Sequence, residues 1–381
     1  MPPLSIVFLG LSITSSWGNG HATNYRALIK ALTRRGHRCL FLERDKPWYA
    51  DNRDLPNPPF GRTELYGGID ELRDRFGADV RDADAVIVGS YVPDGVEVGR
   101  WATSVAQRGR GGVTAFYDID TPVTLAKLAR GDFEYLAPDL IPLYDLYLSF
   151  TGGPTLARLQ RELGSPAARP FYCLVDPDLY APDPDAVPGI DLGYLGTYSD
   201  DRQPAVDRLL VEPARRLPGR SFVVAGPQYP ESIRWPENVR RIDHLPPAGH
   251  RAFYNAQRFT LNVTRADMVR AGWSPSVRLF EAAACATPVI SDLWPGFEDF
   301  FEPGREVLFA RDAAEAVRAI TETPEDERLA IGERARRRVL AEHTADARAE
   351  QLEACIAEAR DRRTRRGSRG RARTFNPSTV P

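Results

Sequence analysis

The sequence predicts two Rossmann-like, doubly wound α/β domains, each a parallel sheet covered by helices, facing each other across a cleft. Three observations lead there. The chain has 381 residues, more than one ordinary core accommodates. In both halves, short apolar runs alternate with helical periodicity, the pattern of parallel strands covered on both faces. A segment dense in proline and aspartate, DPDLYAPDPDAVPGI over 176–190, separates the two stretches and reads as a linker. The domains are therefore drawn at 1–176 and 191–360, with the linker over 177–190 and a basic tail over 361–381.

In the first half, residues 6–10 form an apolar run ending in glycine. Ala22, Tyr25, Leu28, Ile29 and Leu32 then recur at helical spacing, with Gly36 at a C′ position. Residues 37–43 read as the second strand, 85–89 (AVIVG) and 112–117 (GVTAFY) as buried ones, and 146–150 and 171–175 as the last. The second half restarts with a strand at 191–196, a helix at 204–217 and a strand at 221–226. Further strands are expected at 239–245, 258–264 and 287–291, and residues 305–309 with helix-like stretches after Asp312 close the domain. Among them, 274–286 reads as a helix with Ser274 as N-cap and Pro275 at its first position. Ligands of such sheets sit beyond the carboxyl ends of the strands, so the site is expected in the cleft.

Composition narrows the chemistry. With 43% hydrophobic and 27% charged residues, the chain has apolar surface enough for two cores. A formal net charge of -2 offers no field for gathering nucleic acid, so no such partner is expected. An anionic ligand must instead be held by local arginines and backbone N–H groups. Lysine occurs only at positions 30, 46 and 127, which leaves few candidates for a P-loop, a Schiff base or a lysine base. Cys39, Cys173, Cys285 and Cys355 are scattered singly, against a zinc site or disulfide scaffold and for a cytoplasmic location. The N-terminus lacks a basic region before its short apolar run, and no stretch approaches the ~18 apolar residues of a membrane span. From Asp361 the apolar pattern stops. DRRTRRGSRGRARTFNPSTVP reads as a disordered, solvated tail or, alternatively, as a weak contact for an anionic surface.

The strongest chemical signal surrounds Ser276, Arg278 and Glu281. A helix starting near Ser276 offers free N–H groups and the positive end of its dipole to a phosphate. Arg278 can add a bidentate contact. Glu281, one turn deeper on roughly the same face, can accept both hydroxyls of a ribose. Those are the parts of a nucleoside-diphosphate site; on spacing alone they are also an ordinary surface pair.

Residues 258–309 resemble the donor-binding region of GT-B glycosyltransferases. Within them, SVRLFEAAACATPVISDLWPGFEDFFEPGREVLF is similar to the spore-maturation, CgeB-like branch of the group-1 type. The N-terminal SSWGNGHATNYRALIKALTRRGHRCLFLERDKPWY resembles bacterial proteins of the same branch, and the resemblance covers nearly the whole chain short of the basic tail. It implies a GT-B glycosyltransferase whose donor substrate is a nucleoside-diphosphate sugar held mainly by the second domain. It implies no bound metal or other cofactor, and a hydroxyl-bearing acceptor of unspecified kind. Many group-1 members carry two glutamates eight positions apart; Glu281 matches the second, Trp273 stands at the first, and Asp267 is the nearest substitute. Gly196-Thr197-Tyr198 resembles the loop that reaches the donor phosphates, with Arg202 close behind it. Arg265 ends the strand before the key helix and is placed for the same phosphates, while His244 stands where this fold reads the base.

On the acceptor side, Gly18-Asn19-Gly20-His21 lies between the first strand and its helix, where Gly18 and Gly20 let the backbone approach a ligand. It is not G-x-G-x-x-G, although Glu43 at the end of the second strand keeps a NAD-type reading open. His21 is either a structural residue or the base for an acceptor hydroxyl. Asp118 or Asp120, after an apolar strand, can bind acceptor hydroxyls or replace His21 as base. Their Asp-x-Asp spacing recurs at 82/84, 176/178 and 183/185, so it is a weak metal signal. Two alternatives share the architecture: a nucleotide-sugar epimerase, and a non-catalytic nucleotide-sugar-binding protein.

Overall fold

The apolar runs of the first half become the parallel strands of one sheet. In the computed structural model, which describes residues 2–18 and 20–373 with side chains through 365, these are β1 (Ser5–Gly10), β2 (Arg38–Arg44), β3 (Arg62–Tyr66), β4 (Ala85–Gly89), β5 (Val113–Asp118), β6 (Leu146–Ser149) and β7 (Ala168–Pro170). Their order is β3-β2-β1-β4-β5-β6-β7. The second half gives β8 (Ile190–Leu195), β9 (Phe222–Ala225), β10 (Val239–Ile242), β11 (Gln257–Asn262), β12 (Val289–Ser291) and β13 (Leu308–Phe309), ordered β10-β9-β8-β11-β12-β13. Every strand pair within both sheets is parallel. The order reverses beside β1 and β8, which puts a topological switch point in each half. Central strands such as β4 and β5 are buried along their whole length, hence their unbroken apolar character.

Several expectations shift for physical reasons. β3 (RTELY) is an edge strand that buries only Tyr66, so it carries no apolar run to detect. The run at 171–175 is buried but is not a strand of the sheet. There Val175 bridges Thr344, and its N–H and C=O pair with His343 and Ala345. The helix expected at 204–217 contains a π-helical turn over Asp207–Val211, two residues before Pro213, which has no N–H for the ordinary ladder. The key helix starts later than expected: Ser276 is its N-cap and it spans Val277–Ala284. Ser274 instead shares a hydrogen bond with Thr151 of the first half at 2.9 Å, a tertiary contact that overrides the capping pattern.

Helix Ala345–Arg373 runs into the first part of the basic stretch, residues 361–373, and residues 374–381 lie outside the described part. This helix returns to the first half: Glu353 takes a bidentate contact from Arg35 and meets His37 Nε2 at 2.8 Å. Arg360 and Arg363 reach Asp84 and Asp145, both at 2.6 Å. Arg360 and Arg363 thus fasten this helix beside the starts of β4 and β6, Arg363 being one of the charges of the basic stretch. Among the described residues no helix is long and apolar enough to cross a membrane.

The chain crosses between the halves at 171–190 and again near Thr344, and one apolar cluster includes residues of both. Trp273 adds a clamp. Its backbone O accepts from Gly152 N at 2.9 Å, its Nε1 donates to Asp299 at 2.6 Å, and its ring lies against Gly153. A Cβ on Gly153, whose φ is +55°, would stand 2.5 Å from the indole. Gly153→Ala therefore combines overpacking with a strained φ, and we expect a loss of about 2–4 kcal/mol. Scanning calorimetry should show a melting point lower by about 3–5 °C; an unchanged one would refute the clamp.

Candidate functional site

Loops at the carboxyl ends of β1, β8, β9 and β10 converge on a cavity of about 220 Å³ between the halves. Ser16, Gly18, Gly20 and Thr23 form its wall from the first half. Thr197, Arg202, Gly226, His244, His250, Tyr254, Arg278 and Glu281 lie on the other. Eight residues singled out in the sequence therefore meet here: Gly18, Gly20, Gly196, Thr197, Arg202, His244, Arg278 and Glu281. His21, Asp118, Asp120, Arg265 and Ser276 do not line this cavity; Asn19 lies outside the described residues.

Ser276 acts through the helix start. Its Oγ accepts from Arg278 N at 3.2 Å, which caps the helix, and from Arg278 Nη1 at 3.2 Å. Asn262 Oδ1 stands 3.5 Å from the same Nη1, and the guanidinium sits 5.3 Å over the Tyr194 ring. Arg278 is thus oriented by neutral groups. Arg202 Nη2 donates to Thr197 O at 2.6 Å, while its buried Nε has no acceptor among the described residues. Burial lowers the Arg202 pKa, and the positive charges of Arg278 and Arg265 push the same way. Arg265 is shared, 3.4 Å from Asp120 Oδ2 and 3.8 Å from Asp201 Oδ2. Arg278 and Arg265 thus both add positive charge beside Arg202, an arrangement suited to an anion.

Glu281 is only 4% exposed. It accepts from Tyr180 OH at 2.8 Å and from Tyr254 OH at 3.0 Å, with His250 Nδ1 3.8 Å away. Burial, and then the Glu281 charge, raise both tyrosine pKa values well above normal, so these hydroxyls remain donors. Each carboxylate oxygen keeps a second lone pair for a hydroxyl in the cavity.

In the first half, Glu43 is fully buried and committed: Ser12 Oγ, Thr14 Oγ1 and the N–H groups of Ile13 and Thr14 all donate to it. It shapes the loop after β1 and has no role left as a ribose ligand, which removes the NAD-type reading. Trp17 and His244 touch across the cleft, ring centroids 4.3 Å apart, and burial lowers the His244 pKa.

The two aspartates separate. Asp118 is fully buried, accepting from Tyr147 OH, Thr124 Oγ1 and Asp120 N, and burial raises its pKa to about 6. In the ligand-free fold it braces the inside of the domain. Asp120, past the end of β5 at the N-cap of helix Thr121–Ala129, faces the other half: Tyr91 OH donates to its Oδ2 at 3.1 Å and Arg265 reaches the same oxygen. Burial raises its pKa while Arg265 opposes the rise. His21 opens helix His21–Arg34 and packs edge-on against Tyr91, centroids 5.3 Å apart. Burial lowers its pKa to about 4, so the imidazole is neutral at pH 7. Among the described residues no three His, Cys, Asp or Glu side chains converge as a metal site.

Residues 202–354 match a family model described as glycosyl transferase-like. No curated protein matches the chain. Anabaena Alr3699/HepE, solved with UDP-glucose, superposes with a TM-score of 0.68 at 12% identity, covering 93% of this chain and 100% of that one. Sucrose-phosphate synthase (tll1590) from Thermosynechococcus elongatus gives 0.65 at 15% identity, over 93% and 98%. An alpha-glucosyltransferase solved with UDP and a 13-mer DNA containing an HMU base gives 0.66 at 11% identity, over 93% and 100%. The fold is GT-B. In this GT-B cleft the second sheet brings the arginines and Glu281, and the first brings His21, Tyr91 and Asp120.

Sequence reasoning missed Tyr91, Trp17, His250, Tyr180 and Tyr254. They are isolated aromatic or imidazole side chains with no shared motif or spacing, and only the tertiary fold brings them to the cleft. Tyr180 did carry a signal: a lone aromatic in a Pro/Asp-rich linker is worth docking somewhere, and it docks on Glu281.

Proposed function

We propose that this chain moves a glycosyl group from a nucleoside-diphosphate sugar to a hydroxyl acceptor, without a bound metal. The observation that carries the reading is the grouping of Arg202 and Arg278, unpaired with any carboxylate among the described residues, beside buried Glu281 in an interdomain cavity. The diphosphate would take the arginines and the helix start, and the ribose Glu281. The acceptor oxygen forms a bond to the anomeric carbon as the bond from that carbon to the diphosphate oxygen breaks. The electron pair leaves on the diphosphate, where Arg202, Arg265 and Arg278 stabilise it. The acceptor proton passes to Asp120 or His21. UDP and UDP-glucose in the similar structures make these the first probes. The motifs at 15–49 and 276–309 support the CgeB-like branch, and four buried free cysteines suit a reducing cytoplasm.

The test is a thermal-shift series with UDP, GDP, dTDP, CMP and NAD, each with and without EDTA. A ligand at a hundred times its Kd stabilises the fold by ~2.7 kcal/mol. One nucleoside diphosphate should raise the melting point regardless of EDTA. A response to NAD alone, or to none, would overturn the proposal.

A further inference from the structure

We infer that Tyr91 is a positioning residue for the acceptor side, holding Asp120 so that one carboxylate oxygen is left to receive the acceptor's proton. This rests on the glycosyl-transfer reading and goes beyond it by assigning Tyr91 and one oxygen of Asp120.

Four observations converge. Oδ2 of Asp120 already has two donors, Tyr91 OH at 3.1 Å and Arg265 Nη1 at 3.4 Å. Oδ1 is buried and has no hydrogen-bond partner among the described residues. A buried carboxylate oxygen without a donor is costly and calls for an explanation such as a missing substrate hydroxyl. Tyr91 also holds a φ of +63°, unfavourable for a side chain of its size, at the cleft end of β4. Strain of this kind persists where the surroundings over-determine a residue, and it concentrates at functional sites. Its ring is held on two sides, by His21 at 5.3 Å and Tyr135 at 4.7 Å between centroids. The hydroxyl is therefore aimed by packing, and the carboxylate is aimed by the hydroxyl.

The groups facing Asp120 are known from every side. Arg265, Arg202 and Asp267 act on it from the second half, and Tyr91, Tyr135 and Asp118 from the first. Tyr91→Phe removes one donor from the ionised form and keeps the ring contacts, so the Asp120 pKa must rise. A base works only when deprotonated, so the acid limb of turnover moves to higher pH.

Asp120 can be titrated by the 13C resonance of its carboxyl carbon, assigned with Asp120→Asn, in the full chain with and without Tyr91→Phe. UDP release from UDP-glucose, with water as acceptor, is followed over the same pH range. The inference predicts an Asp120 midpoint higher by about one unit, kcat lower about ten-fold, KM for UDP-glucose unchanged, and the acid limb displaced in parallel. An unmoved midpoint overturns it. So does a moved midpoint with wild-type kcat at every pH, because the contact would then be structural only. If wild type neither binds UDP nor releases it while the midpoint still moves, the donor reading fails and the hold of Tyr91 on Asp120 stands.

Discussion

Replacing Arg278 by alanine should lower kcat/KM for the nucleotide sugar by about a hundredfold or more and weaken UDP binding, without lowering the stability of the ligand-free protein. The first part follows from geometry. The guanidinium is held by Ser276 Oγ, Asn262 Oδ1 and the Tyr194 ring, so its orientation is set before a diphosphate arrives. A preorganised donor aimed at developing charge typically contributes a factor of 10²–10³. The second part follows from charge. Arg278 is one of the positive neighbours that lower the Arg202 pKa, so its removal relieves repulsion in the empty cavity. Arg278→Lys should recover charge but not the two-pronged contact, and so only part of the rate. Calorimetric titration with UDP and a melting curve for each variant test both parts. An Arg278→Ala protein with wild-type UDP affinity would remove the arginine from the donor site.

Glu281→Ala should cost both fold and function. The alanine removes the acceptor that Tyr180 and Tyr254 now share: Tyr254 OH loses its carboxylate partner, and Tyr180 OH keeps only His250 Nδ1 at 3.3 Å. The orphaned hydroxyl costs about 1–3 kcal/mol, so the melting point should fall by about 2–5 °C. Glu281→Gln separates the two effects. It keeps an oxygen acceptor and nearly the same volume, so most stability should return. The neutral amide binds ribose hydroxyls less well, however, and one of its two ends donates where the carboxylate accepted. Affinity for UDP should therefore stay lowered, and the preference for UDP over its 2′,3′-dideoxy analogue should shrink. Glu281→Gln with wild-type discrimination between the two would make Glu281 structural only.

The two effects meet in Tyr180. It lies on the segment between the halves and donates to the carboxylate proposed to hold the ribose. Donor binding and the packing of that segment therefore share one buried hydrogen-bonded group, which is why the alanine and glutamine variants must be read together.

How much was legible differs between the two sides of the cleft. On the donor side, Ser276, Arg278 and Glu281 sit within two turns of one helix, and local periodicity suffices to place them together. On the acceptor side, Asp118 and Asp120 are equivalent in sequence. Asp118 ends β5 and Asp120 stands at the N-cap of the next helix, so one carboxylate is sealed by Tyr147 and Thr124 while the other reaches Arg265. That difference depends on residues from β6, helix Thr121–Ala129 and the far domain, which no local pattern contains. Glu43 shows the same limit: its place at the end of β2 suggests a ribose ligand, and only the fold of residues 12–15 shows it already spent.

By itself, then, the sequence determined two parallel α/β halves, the positions of most strands within a few residues though not edge strands β3 and β7, and the donor-side helix. These follow from apolar periodicity and capping chemistry, which act over short stretches of chain. Tertiary structure decided the register of that helix's cap, the return of the basic C-terminal helix to the first sheet, and which aspartate faces the cleft. Each of those depends on partners far away in the chain, such as Thr151 for Ser274, Asp145 for Arg363 and Arg265 for Asp120. Such pairings become favourable only after both sheets have formed and brought the partners within hydrogen-bonding reach.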